Sequence, residues 1–416
     1  MTAEIITIGD EILIGQTIDT NSAYMAKALN LIGVSISRIT SISDTKEEII
    51  RAIQEAQSRT NLVIATGGLG PTRDDITKLT LTEYFNTELI TYPEIRATIQ
   101  EIFERRNLPI LEVNLMQANL PKDCFIIPNK IGTASGMWFE RNGKVVISMP
   151  GVPYEMEYLM QNGVLDKIKA TFKTPSIIHK TVMTSGAGES FLADRIKDWE
   201  NTLDQEDIHI AYLPSSGVVK IRLSIVSEDR ENAQERIDRK VMELLQIIPE
   251  FVYGYDDEPL EKAIGNLLLS AGVTVGTAES CTGGYLAHLI TSIPGSSSYY
   301  QGSVISYSNE VKINELGVKS IDLLKYGAVS QQTVEQMAKG VKKKLKVDYA
   351  LSTSGVAGPD GGTDEKPVGT VWIALATPDG RVISKKLQLE KNRGRNIQRS
   401  AIAALNLLRL ELTRNY

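Results

Sequence analysis

Across residues 1–172 short apolar blocks alternate with amphipathic stretches. Residues 4–8 read as a strand running into Gly9-Asp10-Glu11, and Asn21 is placed to cap a helix with Tyr24, Met25, Leu29 and Leu31 on its apolar face. Residues 35–42 predict a second strand, after which Asp44 or Thr45 caps a helix carrying Ile49, Ile50, Ile53 and Ala56 on one side. Leu62-Val63-Ile64-Ala65 is continuously apolar, the pattern of a strand covered on both faces, and ends in Gly67-Gly68-Leu69-Gly70-Pro71-Thr72. This βαβαβ rhythm predicts a mostly parallel sheet between two helical layers. Within residues 137–147, Asn142-Gly143 separates two strand-like runs and predicts a hairpin.

The rhythm changes over residues 173–254. Val219, Ile221, Leu223 and Ile225 alternate with Lys220, Arg222 and Ser224, a strand with one solvated face. Residues 228–248 are highly charged, with helical apolar spacing at Ala233, Ile237, Val241, Leu244 and Leu245. A small α+β domain is expected, serving as a spacer or dimerisation piece. Residues 255–416 return to α/β: a helix through Leu260, Ala263, Ile264, Leu267 and Leu268 stops at Gly272 before a strand at 273–277. Further strands are predicted at 346–353 and 370–376, and a closing helix at 396–410.

Composition narrows the function classes. The 416 residues are 42% hydrophobic and 23% charged, an ordinary globular balance for two or three domains. A net charge of −6 argues against a nucleic-acid partner held mainly by phosphate neutralisation. Cys124 and Cys281 are the two cysteines, too few for a disulfide framework or a cysteine-rich zinc site, and three scattered histidines make a histidine-rich metal centre improbable. There is no secretory pattern at the N-terminus and no apolar run near the ~20 residues that span a bilayer, so a cytoplasmic protein without a membrane partner is expected.

Candidate chemistry in residues 255–416 centres on Thr277-Ala278-Glu279-Ser280-Cys281-Thr282-Gly283-Gly284, where a strand meets a helix. A serine there presents its hydroxyl at the carboxyl edge of the sheet, and the N–H groups of the following turn can hold an anion or a developing oxyanion. The bland alternative is a helix cap. A serine nucleophile needs a base, and a desolvated Lys312 in Tyr307-Ser308-Asn309-Glu310-Val311-Lys312 suits that task better than a distant histidine. A surface lysine and a half-buried tyrosine are the competing reading. The hydroxyl-rich turn Gly295-Ser296-Ser297-Ser298 and the glycine-rich stretch from Ser352 to Gly362 suit a small polar ligand, or are simply loops.

TAESCTGG, IPGSSSYYQGSVISYSNEVK, TSGVAGPDGG and EKPVGTVW occur in that order. They resemble the nicotinamide mononucleotide deamidase domain of the CinA family, over about residues 257–412. The resemblance implies hydrolysis of the substrate's carboxamide to nicotinate mononucleotide and ammonia, without a cofactor. It implies Ser280 as nucleophile, Lys312 as its general base and Tyr307 as an assisting hydroxyl. It further implies Ser297 and Ser354 near the amide, Thr282, Gly283 and Gly355 as flanking binding positions, and Arg393 as a charge-assisted contact to substrate.

In residues 1–172, Asp10, Glu11 and Asp19 follow the first strand, while Asp74 and Asp75 follow Gly67–Arg73. Carboxylates beside a glycine-rich turn suit a divalent cation such as Mg2+ bridging phosphate oxygens, with Gly68, Gly70, Thr72 and Asn21 contacting the rest of the ligand. Helix capping by the same acids is the alternative. The GGLGPTRDD segment and Pro150-Gly151-Val152-Pro153-Tyr154-Glu155-Met156 resemble the molybdopterin-binding-like N-terminal domain of CinA proteins. That resemblance implies metal-dependent hydrolysis of ADP-ribose, a homodimer, and small nucleotides as the partners. Two rival expectations are a molybdenum-cofactor enzyme and a competence-related regulatory protein.

Overall fold

The computed structural model describes every residue except Arg73 and Tyr416, with Asn415 described by its backbone alone. The chain forms two compact units, one of Met1–Ile178 with Val226–Ala233, the other of His179–Ile225 with the chain from Gln234 onward. The architecture is mixed α/β. Among the described residues no helix is long and apolar enough to cross a membrane.

In the first unit six strands lie in the order Ser35–Ile42, Thr2–Ile8, Leu62–Thr66, Lys144–Met149, Gly136–Arg141, Phe125–Ile127. The first four run parallel, Gly136–Arg141 is antiparallel to Lys144–Met149, and Phe125–Ile127 is antiparallel to Gly136–Arg141 in turn. Every residue of Leu62–Thr66 is buried, and alternate side chains feed separate cores. Val63 and Ala65 join Ile49, Ile53 and Leu81, whereas Leu62 and Ile64 join Met25, Leu29 and Leu159. The predicted hairpin is present, with Asn142 and Gly143 at φ 54° and 71° between Arg141 and Lys144, the left-handed pair such a two-residue turn needs. The chain steps outward from the first strand and then returns past it to the third. A crevice therefore opens at the carboxyl ends of Thr2–Ile8 and Leu62–Thr66.

Helix capping differs from the sequence expectation. The helix begins at Thr20, so Asp19, not Asn21, is its N-cap, accepting from the Ser22 N–H at 2.9 Å. Thr45 precedes the helix Lys46–Arg59 without a side-chain cap bond, and Asp44 instead accepts from the Asp10 N–H at 3.2 Å.

The second unit holds two sheets. One has the order His209–Ser215, Val218–Ser227, Ser176–Ser185, Val252–Tyr255. Val219, Ile221, Leu223 and Ile225 point into its core as their alternation predicts. The other runs Tyr300–Ile305, Val275–Glu279, Tyr349–Gly355, Thr370–Ala376, Val382–Gln388, with the first three parallel and each of the last two antiparallel to the strand before it. Leu260–Ala271, Tyr285–Thr291 and the helix from Arg393 cover one face, and Gln331–Leu345 packs on the other. Gly340 lets that last helix approach Asn309–Leu316 closely, because a Cβ there would lie 2.0 Å from the Leu316 carbonyl oxygen. The basic run Lys342-Lys343-Lys344 closes the same helix at its negative end. Lys342 donates to the Thr377 carbonyl and Lys344 pairs with Glu315.

Candidate active site

Val275–Glu279 is flanked on both sides by parallel strands, so its carboxyl end opens at a switch point between them. Ser280 is the first residue beyond it, and its N–H donates to the Thr353 carbonyl at 2.9 Å. Lys312 sits on the helix Asn309–Leu316 that follows the neighbouring strand, and is 1% exposed. Its Nζ lies 3.1 Å from Ser280 Oγ, 2.7 Å from the Ser306 carbonyl oxygen and 3.3 Å from that of Tyr307. Burial pushes the amine below its ordinary 10.5, the direction a base needs. In the neutral form two N–H bonds satisfy the two carbonyls, leaving the lone pair to accept the Ser280 hydroxyl proton. Burial has the opposite sense for the adjacent Cys281 thiol, pushed up to about 12, so it stays un-ionised.

The turn after Ser280 is organised by a residue the sequence reading passed over. Glu279 is wholly buried. Its carboxylate accepts from the Thr282 hydroxyl at 2.7 Å and from the N–H groups of Gly284, Leu286 and Ala287 at 2.9, 3.0 and 2.8 Å. The Ser303 hydroxyl is 3.4 Å away. Gly284 of the turn, with Leu286 and Ala287 of the helix that follows, gives its N–H to Glu279, so these three amides are not open to an anion.

The other expected positions divide. Arg393 donates to the Gly358 carbonyl at 3.0 Å and to the Tyr307 hydroxyl at 3.3 Å. Tyr307 is an exposed side chain tied to Arg393, and its carbonyl, not its hydroxyl, meets Lys312. Thr282 spends its hydroxyl on Glu279 and Thr353. Ser354 donates to the Ala328 carbonyl at 2.7 Å. Gly283 is left-handed with open space over its Cα, whereas Gly355 is backed by Val371. Ser297 is not at the site. It lies before Tyr300–Ile305, whose first residue pairs with Val275 while its last pairs with Glu279. The Ser297 turn is thus at the amino edge of the sheet, about five residues or ~16 Å of strand away from Ser280.

The first unit has a cavity of about 550 Å3 at the carboxyl edge of its sheet. Glu11, Asp19, Asn21, Gly68, Gly70, Asp74 and Asp75 line it, together with Asp44 and Glu155, which the sequence reading did not select. Asp10 and Thr72 are not among the lining residues. Asp75 organises the glycine-rich loop, accepting from the N–H groups of Gly70 and Thr72 at 2.7 and 2.8 Å and from the Thr72 hydroxyl. Asn21 donates to Thr66 Oγ1 and to the Gly151 carbonyl, while its buried Oδ1 has no partner. The Asp44 carboxyl is pushed upward, first by burial and then by the charges of Glu11, Asp10 and Asp74. Among the described residues no three His, Cys, Asp or Glu side chains form a metal cluster, so the five expected acids are not a ready-made cage. The oxygen-only donor set, crowded carboxylates and absence of Lys or Arg among the described lining residues still fit a hard cation held partly by phosphate oxygens.

Residues 257–412 match the CinA C-terminal domain, 4–170 the probable molybdopterin binding domain, and 179–254 the damage-inducible protein CinA KH domain. A CinA-like protein of Cytophaga hutchinsonii is 48% identical, covering 99% of this chain and 98% of its own. The chain belongs to the CinA family. Another CinA-like protein, from Flavobacterium psychrophilum, is 45% identical over the full length of both chains. A putative competence-damage inducible protein of Halothermothrix orenii is 41% identical, covering 95% of each. The solved competence/damage inducible protein from Agrobacterium tumefaciens is 36% identical, covers 37% of this CinA-family chain and 93% of its own, and has a TM-score of 0.36.

Proposed function

We propose that the C-terminal part of the chain hydrolyses the carboxamide of nicotinamide mononucleotide by a serine–lysine mechanism. The observation carrying this reading is the buried amine of Lys312, 3.1 Å from Ser280 Oγ. Ser280 Oγ attacks the amide carbon while neutral Lys312 takes the hydroxyl proton. The carbon–nitrogen bond then breaks and ammonia leaves with that proton, giving an ester on Ser280. Water, deprotonated by Lys312, attacks the ester, and the serine recovers its proton as nicotinate mononucleotide departs. Arg393, held by Gly358 and Tyr307 at the rim, supplies a cation suited to the substrate's phosphate. Rapid quenching of turnover followed by intact-mass measurement should find the nicotinoyl ester on Ser280. Product formation under single-turnover conditions with no serine adduct contradicts the two-step route.

In the first unit the reading is pyrophosphate hydrolysis in ADP-ribose. A divalent cation bound there would neutralise and polarise the phosphates, and the protein oxygens we assign to it are those of the cavity-lining carboxylates Glu11, Asp19, Asp44 and Asp74. Asp75 shapes the Gly68–Gly70 turn against the ligand, and Asn21 Oδ1 is left to accept a bond from it. The match to a probable molybdopterin binding domain favours a second occupant, a pterin nucleotide. Competition between the two ligands for this cavity, followed by calorimetry, separates them. Nothing in either mechanism calls on a membrane or a nucleic acid.

A further inference from the structure

The Glu279 carboxylate takes an unusual share of the hydrogen bonding around Ser280. Four donors reach it within 3.0 Å, and a fifth lies at 3.4 Å. A carboxylate is acceptor-only, so all of these donors can be served; a neutral amide of the same shape would turn an NH2 group toward at least one of them. Its charge also complements the amino end of Tyr285–Thr291.

Most N–H groups of the turn are already bound. Ser280 donates to the Thr353 carbonyl and Gly283 to the Ser280 carbonyl, while Tyr285 donates to the Thr282 carbonyl. Gly284, Leu286 and Ala287 are held by Glu279. The nucleophile's own amide, a usual oxyanion donor, is therefore occupied. Among the described residues of the turn, the N–H groups of Cys281 and Thr282 are the ones that no carbonyl or carboxylate takes.

We propose that Glu279 is the positioning residue of the nucleophile turn: by binding the helix-end amides it fixes Ser280 at the strand end and leaves the Cys281 and Thr282 N–H groups to receive the oxyanion. The role rests on the serine–lysine reading above, but it can be tested apart from the substrate. A fluorophosphonate ester serves as the second probe. Ser280 Oγ bonds to phosphorus, the phosphorus–fluorine bond breaks, fluoride leaves, and Lys312 takes the hydroxyl proton.

The experiment compares the full chain with Glu279→Gln for ammonia release and for the rate of fluorophosphonate labelling at Ser280. Circular dichroism and thermal unfolding monitor the fold. Glu279→Gln is expected to lower kcat and the labelling rate at least about tenfold, a part of the ~10²–10³ that complete loss of an oxyanion donor costs. KM should stay within about threefold, and the pH midpoint set by Lys312 should not move. Thr282→Val, which removes the hydroxyl that donates to Glu279 but keeps the backbone N–H, should give a smaller loss in the same direction and decides the matter if Glu279→Gln does not fold. Parent-like kcat and labelling in a folded Glu279→Gln, or in Thr282→Val where that variant decides, overturn the proposal. A parent chain that labels at Ser280 but releases no ammonia removes the substrate reading and leaves the positioning role standing. A parent inert to both reagents removes both.

Discussion

Lys312 Nζ donates to the carbonyl of Ser306 at 2.7 Å, and the Ser306 N–H is itself bound to the carbonyl of Glu279 at 2.8 Å. Glu279 is joined covalently to Ser280, whose Oγ is 3.1 Å from the same Nζ. Lys312 and Ser280, base and nucleophile in the proposed mechanism, thus close a small ring through Ser306. The two carbonyls fix the direction of the amine, and its burial disfavours the charged form.

The activity should rise with pH along the titration of Lys312. Desolvation lowers that amine from 10.5, so kcat/KM should climb to a plateau through a midpoint below 10.5. The stability sign is fixed by the same shift. Between the folded and unfolded values the unfolded chain binds the extra proton, so burying the neutral amine costs stability there, and the cost fades as pH approaches 10.5. The melting temperature of the parent should therefore gain on that of Lys312→Met as pH is raised from 7 toward 10. A difference independent of pH would mean that Lys312 is protonated in the folded chain.

Tyr307→Phe and Arg393→Ala should separate. The Tyr307 hydroxyl faces Arg393, so its removal should change kcat by less than about threefold. Arg393→Ala removes the rim cation and should raise KM for nicotinamide mononucleotide about tenfold or more, with kcat less affected. Steady-state kinetics of both variants decide. A large kcat loss in Tyr307→Phe would restore the assisting role expected from the sequence.

Gly340→Ala tests the support behind Lys312. The added methyl would sit 2.0 Å from the Leu316 carbonyl oxygen, forcing Gln331–Leu345 away from the helix that carries the lysine. An overpacking cost of about 1–3 kcal/mol should lower the melting temperature. Turnover should fall by more than the unfolded fraction explains, because Lys312 shifts relative to Ser280. Equal losses in folded fraction and turnover would show that the lysine is held without this helix contact.

The cavity of the first unit makes its own prediction. Asp75→Ala releases the Gly70 and Thr72 donors that shape the glycine-rich loop. ADP-ribose hydrolysis should lose about tenfold or more in kcat/KM, while ammonia release from nicotinamide mononucleotide stays at the parent rate. A parallel loss in both reactions would point to a general folding defect.

Much of this was legible beforehand, for physical reasons that differ by element. Thr370–Ala376 is found at its predicted bounds because its apolar run coincides with its ladder, while Ser35–Ile42, where isoleucines are interspersed with polar residues, is fixed by its parallel pairing with Thr2–Ile8. The strand that leads into Ser280 is expected from sequence at 273–277 but runs Val275–Glu279. Thr274 is held by the Asp348 side chain instead of entering the strand, while Ala278 and Glu279 keep parallel partners on both sides. Ser297 was misplaced because closeness in sequence to a parallel strand's start puts a residue at the pole opposite that strand's end. Val382–Gln388 was not expected at all, since Lys385 and Lys386 mask the apolar alternation of an exposed edge strand. Glu279 lies inside TAESCTGG without a role assigned from sequence, and Asp44 reads there as a helix cap. What singles them out is burial and the company of donors or acids distant in sequence, which appears only on folding.

Ammonia release from nicotinamide mononucleotide by the parent chain, Ser280→Ala and Lys312→Ala, measured side by side, bears most directly on the serine–lysine pair. The account predicts one ammonia for each nicotinate mononucleotide formed by the parent, and a loss of at least about 100-fold in either variant with its fold intact. Turnover at the parent rate in either variant would contradict it.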